Sequence, residues 1–284
     1  MSAALPLPAS PAWPWPALVK ASAAVHAGAA ALALIPGGWP WAAGAVLANQ
    51  AVLTAAGLWP RSALLGPNVQ RLPGACAARG EIAITLDDGP DPEVTPAVLD
   101  QLDVAGAKAT FFCIAGRAAA QPALVREIAR RGHAVQNHSH GHRHHFALLG
   151  PRGFAAEIGR AQAVLAELTG RVPHCFRAPA GLRNPLLDPV LHRLNLQLVS
   201  WTRRGFDTRD PDPQRVLQRL LKKLAAGDIL LLHDGNARRS ASGRPVVLDV
   251  LPALLRRCAE AGLLPVTLDA ALPPRREPLP GPLS

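Results

Sequence analysis

Hydrophobic and polar positions divide the chain into two unlike parts near residue 60. Before it, apolar residues run almost without interruption. The runs Ala21 to Ile35 and Trp41 to Leu58 are separated by Pro36-Gly37-Gly38-Trp39-Pro40, and Lys20 is the only charged side chain before Arg61. Trp13, Trp15, Trp39, Trp41 and Trp59 flank these runs, as aromatic side chains do at membrane–water interfaces. A helix needs roughly 17–25 residues to cross a bilayer. The second run meets that length; the first does so only if Ala17 to Val19 join it and Lys20 extends to the interface. The pattern predicts a transmembrane helical hairpin over residues 1–60. It favours a hairpin over a cleaved leader, because no basic segment precedes the first run. Lys20, Arg61 and Arg71 would lie on the same side, which the positive-inside rule makes cytoplasmic.

Residues 61–80 are rich in Pro, Gly and Ala and read as a linker. From residue 81 to about 270 short apolar stretches alternate with amphipathic ones. Strands are expected at Ile82–Leu86, Ala109–Ile114, His133–Asn137, His174–Arg177, Leu196–Trp201, Asp228–Leu232 and Leu264–Leu268. Helices are expected near Glu93–Val104, Gln121–Arg131, Gly153–Leu168, Pro185–Leu194, Pro213–Ala225 and Val246–Ala261. Repeated βα units imply parallel strands with helical crossovers. Seven of them in this length fit a barrel, a (β/α)7-type α/β fold, better than an open sheet. Residues 271–284 form a Pro-rich tail, expected to be disordered.

Composition changes this picture little. The 284 residues are 49% hydrophobic, ample for a core, and carry a formal charge of +10. That balance suits anionic neighbours such as lipid headgroups, lipid-linked phosphates or acidic glycans. No basic-aromatic interleaving supports nucleic acid as a partner. Cys76, Cys113, Cys175 and Cys258 form no CxxC pair and read as reduced and structural.

Candidate chemistry gathers at the predicted C-terminal strand ends, the edge where a βα barrel collects its active site. The first strand ends in Asp87 and Asp88, adjacent carboxylates that repel unless a cation sits nearby. The third ends in Asn137-His138-Ser139-His140-Gly141-His142, the fourth in Arg177-Ala178-Pro179-Ala180-Gly181. Ser200-Trp201 and then Phe206-Asp207 come after the fifth, and Leu231-Leu232-His233-Asp234 closes the sixth. One carboxylate and two imidazoles with an open position suit a catalytic Zn²⁺, though Co²⁺ and Ni²⁺ are also admitted. The i,i+4 spacing places His138 and His142 together on a helical turn or tight loop, and His140 and His144 share that spacing. Asp87 would then serve as general base and His233 as general acid.

In series these stretches resemble the motifs of the polysaccharide deacetylase (NodB-homology) family of carbohydrate esterases, over roughly Glu81 to Leu268. The resemblance implies a distorted (β/α) barrel and metal-dependent removal of N- or O-acetyl groups from sugars. It selects Asp88, His138 and His142 as metal ligands. It implies that Arg177 holds Asp87 and that Asp207 orients His233. The Ala180 N–H would join in stabilising the oxyanion, with Leu232 and Trp201 walling the acetyl methyl. Two positions depart from the family pattern. Ala180 stands where an aromatic residue is common, and Thr208 comes after Asp207 in place of Trp, so the cleft is expected to be more open or differently lined. The expected substrate is an N-acetylated glycan, with a lipid-linked sugar, deacylated at the cytoplasmic face, as alternative. A non-catalytic glycan-binding membrane protein is the third possibility. Membrane lipid is the further expected partner and a bacterial inner membrane the expected location.

Overall fold

A computed structural model describes residues 13–274; most of the expected Pro-rich tail lies outside them. Two antiparallel helices come first, α1 (Ala17–Ala33) and α2 (Trp39–Leu58). They start four and two residues before the respective apolar runs. Pro40 in the first turn of α2 costs nothing there, since that N–H has no helical partner. Among the described residues α2 is the one helix long and apolar enough to cross a membrane, while α1 is apolar but shorter. Polar contacts link the pair: Asn49 Nδ2 donates to Ser22 Oγ at 2.9 Å and Gln50 meets His26 at 3.2 Å.

Segment 61–80 packs closely on the α/β domain. Leu65 and Leu72 are buried, Val69 bridges Val199, and a short helix α3 (Gly74–Ala78) leads into the first strand. The domain then runs β1 (Glu81–Asp87), α4 (Val94–Val104), β2 (Thr110–Cys113), α5 (Ala115–Ala120), α6 (Pro122–Arg130) and β3 (Ala134–Asn137). It continues with α7 (Pro151–Thr169), β4 (Cys175–Phe176), α8 (Leu187–Arg193), β5 (Gln197–Leu198), β6 (Arg203–Arg204), α9 (Pro213–Leu221) and β7 (Ile229–His233). The last elements are α10 (Val246–Glu260), β8 (Leu264–Pro265) and α11 (Leu268–Ala271). The helix ends carry readable signals. Asp212 caps α9 by accepting from Gln214 N and Arg215 N, and Gly170 ends α7 in a left-handed conformation.

All strand pairings are parallel, in the order β5-β4-β3-β2-β1-β7-β6, with β8 beside β1. The sheet is a half-barrel: its edge strands β5 and β6 do not pair, and residues 69–71 lie along that gap through Val69–Val199 and Arg71–Asp228 bridges. Strand parity divides the core. Ile82, Ile84, Leu86, Phe111, Leu230 and Leu232 pack outward under the helices, while Ala83, Phe112, Ile229, Leu231, Val199 and Trp201 fill the concave side. Inward residues continue past the apolar layer as Asp87 and His233, which pair in register.

Candidate active site

Asp87 and Asp88 end β1 on the concave side, 3% and 7% exposed. Asp88 takes a left-handed backbone (φ 71°), which turns its carboxylate off the strand direction. The next turn is tight: a Cβ on Gly89 would lie 2.1 Å from Asp234 Oδ2, so only glycine fits.

The His138–His142 segment is a tight loop and not a helical turn, with Ser139 and His142 both at positive φ. Asn137 Oδ1 accepts from Ser139 N, and Ser139 Oγ accepts from His142 N. These bonds fold the loop so that His138 Nε2 and His142 Nε2 each stand 3.2 Å from Asp88 Oδ1. The three donor atoms lie within 4.8 Å of one another. Asp88 Oδ1 is buried and has no hydrogen-bond partner, and an orphaned carboxylate oxygen facing two imidazoles is a donor set that fits a divalent cation. The side chains of His140 and His144 do not enter this cluster; His144 is exposed.

His138 Nδ1 lies 2.9 Å from the Arg177 carbonyl. Donating there would leave Nε2 with its lone pair toward Asp88. Burial works against charge on His138, but Asp87 and Asp88 outweigh it and its pKa is raised. His142, where burial comes first and His138 adds to it, is lowered and favours the neutral form. Burial also opposes ionisation of Asp88, yet His138, then His233 and His142, hold its carboxyl well below the usual range. Asn236 Nδ2 donates to the other oxygen, Asp88 Oδ2, at 3.0 Å, and Arg117 Nη1 to the Asp88 carbonyl at 2.8 Å.

Arg177 is fully buried. Its Nη1 donates to Asp87 Oδ1 at 2.6 Å and to Thr85 Oγ1 at 2.8 Å, its Nη2 to the Ser200 carbonyl, and its Nε to the Val199 carbonyl. The Phe112 ring lies 4.1 Å from its guanidinium carbon. Asp87 Oδ2 is left 3.9 Å from His138 Nε2, facing the cluster. On the other side, Asp207 Oδ1 lies 2.9 Å from His233 Nδ1, and its Oδ2 accepts from His233 N at 2.8 Å. Burial tends to strip the His233 proton, but Asp207, then Asp87 and Asp88, raise its pKa above the ordinary value. Behind it Asp234 is fully buried, accepts from Thr95 Oγ1 at 2.6 Å, and is pushed up to about 7 by burial.

Leu232 is corrected by strand parity. His233 points inward, so Leu232 points out into the layer under the helices, and Leu231 takes the concave position beside Trp201. Ala180 is exposed at φ 55° in the turn Pro179–Gly181. Trp201 is buried against the same turn: a Cβ on Gly181 would lie 2.8 Å from its ring and 2.6 Å from Pro60.

Pro60 brings the end of the hairpin to this rim. Arg183 N donates to the Gly57 carbonyl at 3.2 Å, and Arg183 Nη2 to the Ser62 carbonyl at 2.6 Å. Asn68 Nδ2 donates to the Pro60 and Ser62 carbonyls, while its Oδ1 accepts from Ser200 Oγ. Nothing in the stretch 59–68 signalled these contacts; they depend on where the third-motif loop comes to lie.

Residues 74–199 match the polysaccharide deacetylase family. Over 159 residues the chain is 36% identical to a chitooligosaccharide deacetylase of Azorhizobium caulinodans, covering 55% of this chain and 75% of that protein. The chain belongs to the polysaccharide deacetylase family. A second member, a peptidoglycan-N-acetylglucosamine deacetylase of Bacillus cereus, is 33% identical over 186 residues, 62% of this chain and 82% of that one. Among solved structures, a family 4 carbohydrate esterase from Streptomyces lividans in complex with acetate superposes with a TM-score of 0.61 at 30% identity, covering 70% of this chain and 98% of that one. A family pseudoenzyme from Bacillus anthracis superposes at 0.64 with 19% identity, over 72% and 68%. The deacetylase fold by itself therefore does not fix activity; the residues in the cleft must be read one by one.

Proposed function

We propose that this chain is a metal-dependent deacetylase of an N-acetylated amino sugar, of the N-acetylglucosamine type on which its relatives are named to act. The observation that carries this reading is the convergence of Asp88 Oδ1, His138 Nε2 and His142 Nε2 within 4.8 Å, beside Asp87. A divalent cation held by those three, Zn²⁺ by default and Co²⁺ or Ni²⁺ as further candidates, would polarise the acyl carbonyl and acidify water.

The chain's own residues supply the rest. Asp87, fixed by Arg177, keeps one oxygen free to take a proton from the attacking water. His233, kept protonated by Asp207, gives a proton to the leaving amine. Leu231 and Trp201 offer the apolar wall for the acetyl methyl, and the exposed Ala180 N–H a donor to the oxyanion. A non-catalytic glycan binder has no use for a buried acid held by a buried arginine opposite a histidine–carboxylate pair.

The hairpin is proposed to anchor the domain in a membrane. One observation favours the second substrate reading, a lipid-linked amino sugar: Pro60, just beyond α2, packs on Gly181, the rim residue against which Trp201 also lies. The test is acetate release from chitooligosaccharide, peptidoglycan and lipid-linked N-acetylated sugars, with and without chelator. Chelator-sensitive release that Asp87→Asn lowers by about 10²- to 10⁴-fold, the usual share of a general base, supports the proposal. Metal-loaded protein inert on the whole panel overturns it.

A further inference from the structure

The cleft holds a cation that the deacetylation chemistry does not use. Arg204, on β6, has a half-buried side chain for which no ion pair or hydrogen bond exists among the described residues, and its Nε is shut away from solvent without a partner. Its guanidinium carbon lies 5.4 Å from the centroid of the Trp201 ring and 5.0 Å from that of Phe206. Phe206 reaches that position through a left-handed backbone (φ 65°), a conformation costly for an aromatic residue. The acids that act on Arg204 are engaged elsewhere: Asp87 with Arg177, Asp207 with His233, and Asp88 against His138 and His142. The neighbouring Arg203 is tied to Asp228 and to the Lys222 and Lys223 carbonyls. Burial pulls the Arg204 pKa down, and Asp87 and Asp207 act against that without touching it. Trp201 links the cation to the reacting centre, with its other neighbours being Gly181 of the rim and Arg177 at 5.9 Å.

A guanidinium braced by aromatic rings and free of carboxylates presents planar donors suited to an oxyanion. We propose that Arg204 is a specificity-determining residue that binds an oxyanion, phosphate or carboxylate, carried by the N-acetylated sugar, so that an anionic amino sugar is preferred over a neutral one. This rests on the deacetylase reading. A phosphate would come from a lipid linkage, which the hairpin at the rim favours; a carboxylate would come from an acidic glycan.

Two measurements on the full chain test it. Calorimetry compares binding of N-acetylglucosamine 1-phosphate and N-acetylglucosamine to metal-loaded wild type, Arg204→Gln and Arg204→Lys, with metal content and melting temperature checked for each. The phosphate sugar should bind about 10- to 100-fold more tightly to wild type, the range of a hydrogen-bonded charge pair. Arg204→Gln should abolish most of that margin and Arg204→Lys part of it. Acetate release is then compared on a neutral chitooligosaccharide, a soluble carboxylate-bearing N-acetylated sugar and a polyprenyl-phosphate-linked one. At least one anionic substrate should lead in wild type, with Arg204→Gln acting through KM and leaving kcat within about twofold; which one leads identifies the source of the oxyanion. Equal binding of the two probes, or a substitution that weakens both alike, overturns the inference. Arg204-dependent binding without acetate release from any substrate would leave the anion site standing and overturn the deacetylase reading instead.

Discussion

Asp87 and His233 illustrate how neighbours divide labour between two groups on one sheet edge. Asp87 is held by a guanidinium whose own burial is compensated by Thr85, two carbonyls and the Phe112 ring. Asp207 against Nδ1 raises the His233 pKa and favours the charged ring. An acid with a raised pKa works until pH climbs through that value, so the alkaline limb of kcat/KM should lie above the ordinary histidine range. Asp207→Asn removes the anion and leaves burial, which acts in the opposite direction. The alkaline limb should therefore move to lower pH, read from a pH–rate profile of both proteins. The acids and histidines of this site were legible in the sequence because Asp87 and His233 close strands, Asp88 and His138 come directly after strands, and His142 and Asp207 lie in the loops beyond. Leu231 was legible in principle, since it lies two residues from an inward His233, but parity can be applied only when the inward residue is known. Arg204 and Asn236 carried no such signal. One sits on a two-residue strand with no apolar pattern, the other in a loop whose path brings it to Asp88.

At the level of elements, the strong strands β1 and β7 were visible as continuous apolar runs, and α7 and α10 as amphipathic stretches. The edge strands β5 and β6, and β4 next to β5, hold only two residues each. Apolar runs predict longer strands at β4 and β5, His174–Arg177 and Leu196–Trp201, and none at β6, whose two residues are arginines; ladder pairing stops where the half-barrel opens. The third-motif turn is the element on which hairpin and cleft meet. A Cβ at Gly181 would come within 2.6 Å of Pro60 and 2.8 Å of Trp201, at a φ of 75° that a branched residue resists. Gly181→Val should lower the melting temperature and raise KM together, as the turn, Trp201 and Pro60 are forced apart. Steady-state kinetics and a thermal melt on the same protein check this. A loss of stability with unchanged KM would separate the turn from the cleft.

For the whole molecule, the hairpin is an apolar body fixed to the mouth of a basic catalytic domain. Twenty residues of α2 make a helix about 30 Å long, the thickness of a bilayer core. Trp39 and Trp41 mark its far end and Trp59 its near end, all more than half exposed, and Leu47 (71% exposed) and Val52 (51%) lie between them. Membrane attachment through this exposed apolar helix predicts that Leu47→Lys with Val52→Lys shifts the protein from the floating to the soluble fraction in a liposome flotation assay. A wild type that fails to float would rule out the anchor. The hairpin could be read from hydropathy and tryptophan placement alone. Its contact with the catalytic rim could not, because Gly57, Pro60 and Ser62 meet residues more than a hundred positions away.

The chemistry proposed for this domain depends on one divalent cation shared by three side chains. The direct measurement is metal content per chain after dialysis against Zn²⁺ and removal of free ion. Wild type and Asp87→Asn should each retain about one equivalent, while Asp88→Asn, His138→Ala and His142→Ala, with melts confirming that each is folded, should retain less than about a tenth of that, as expected for loss of a ligand from a three-residue site. Undiminished binding in all three ligand variants, or none in the wild type, would contradict it.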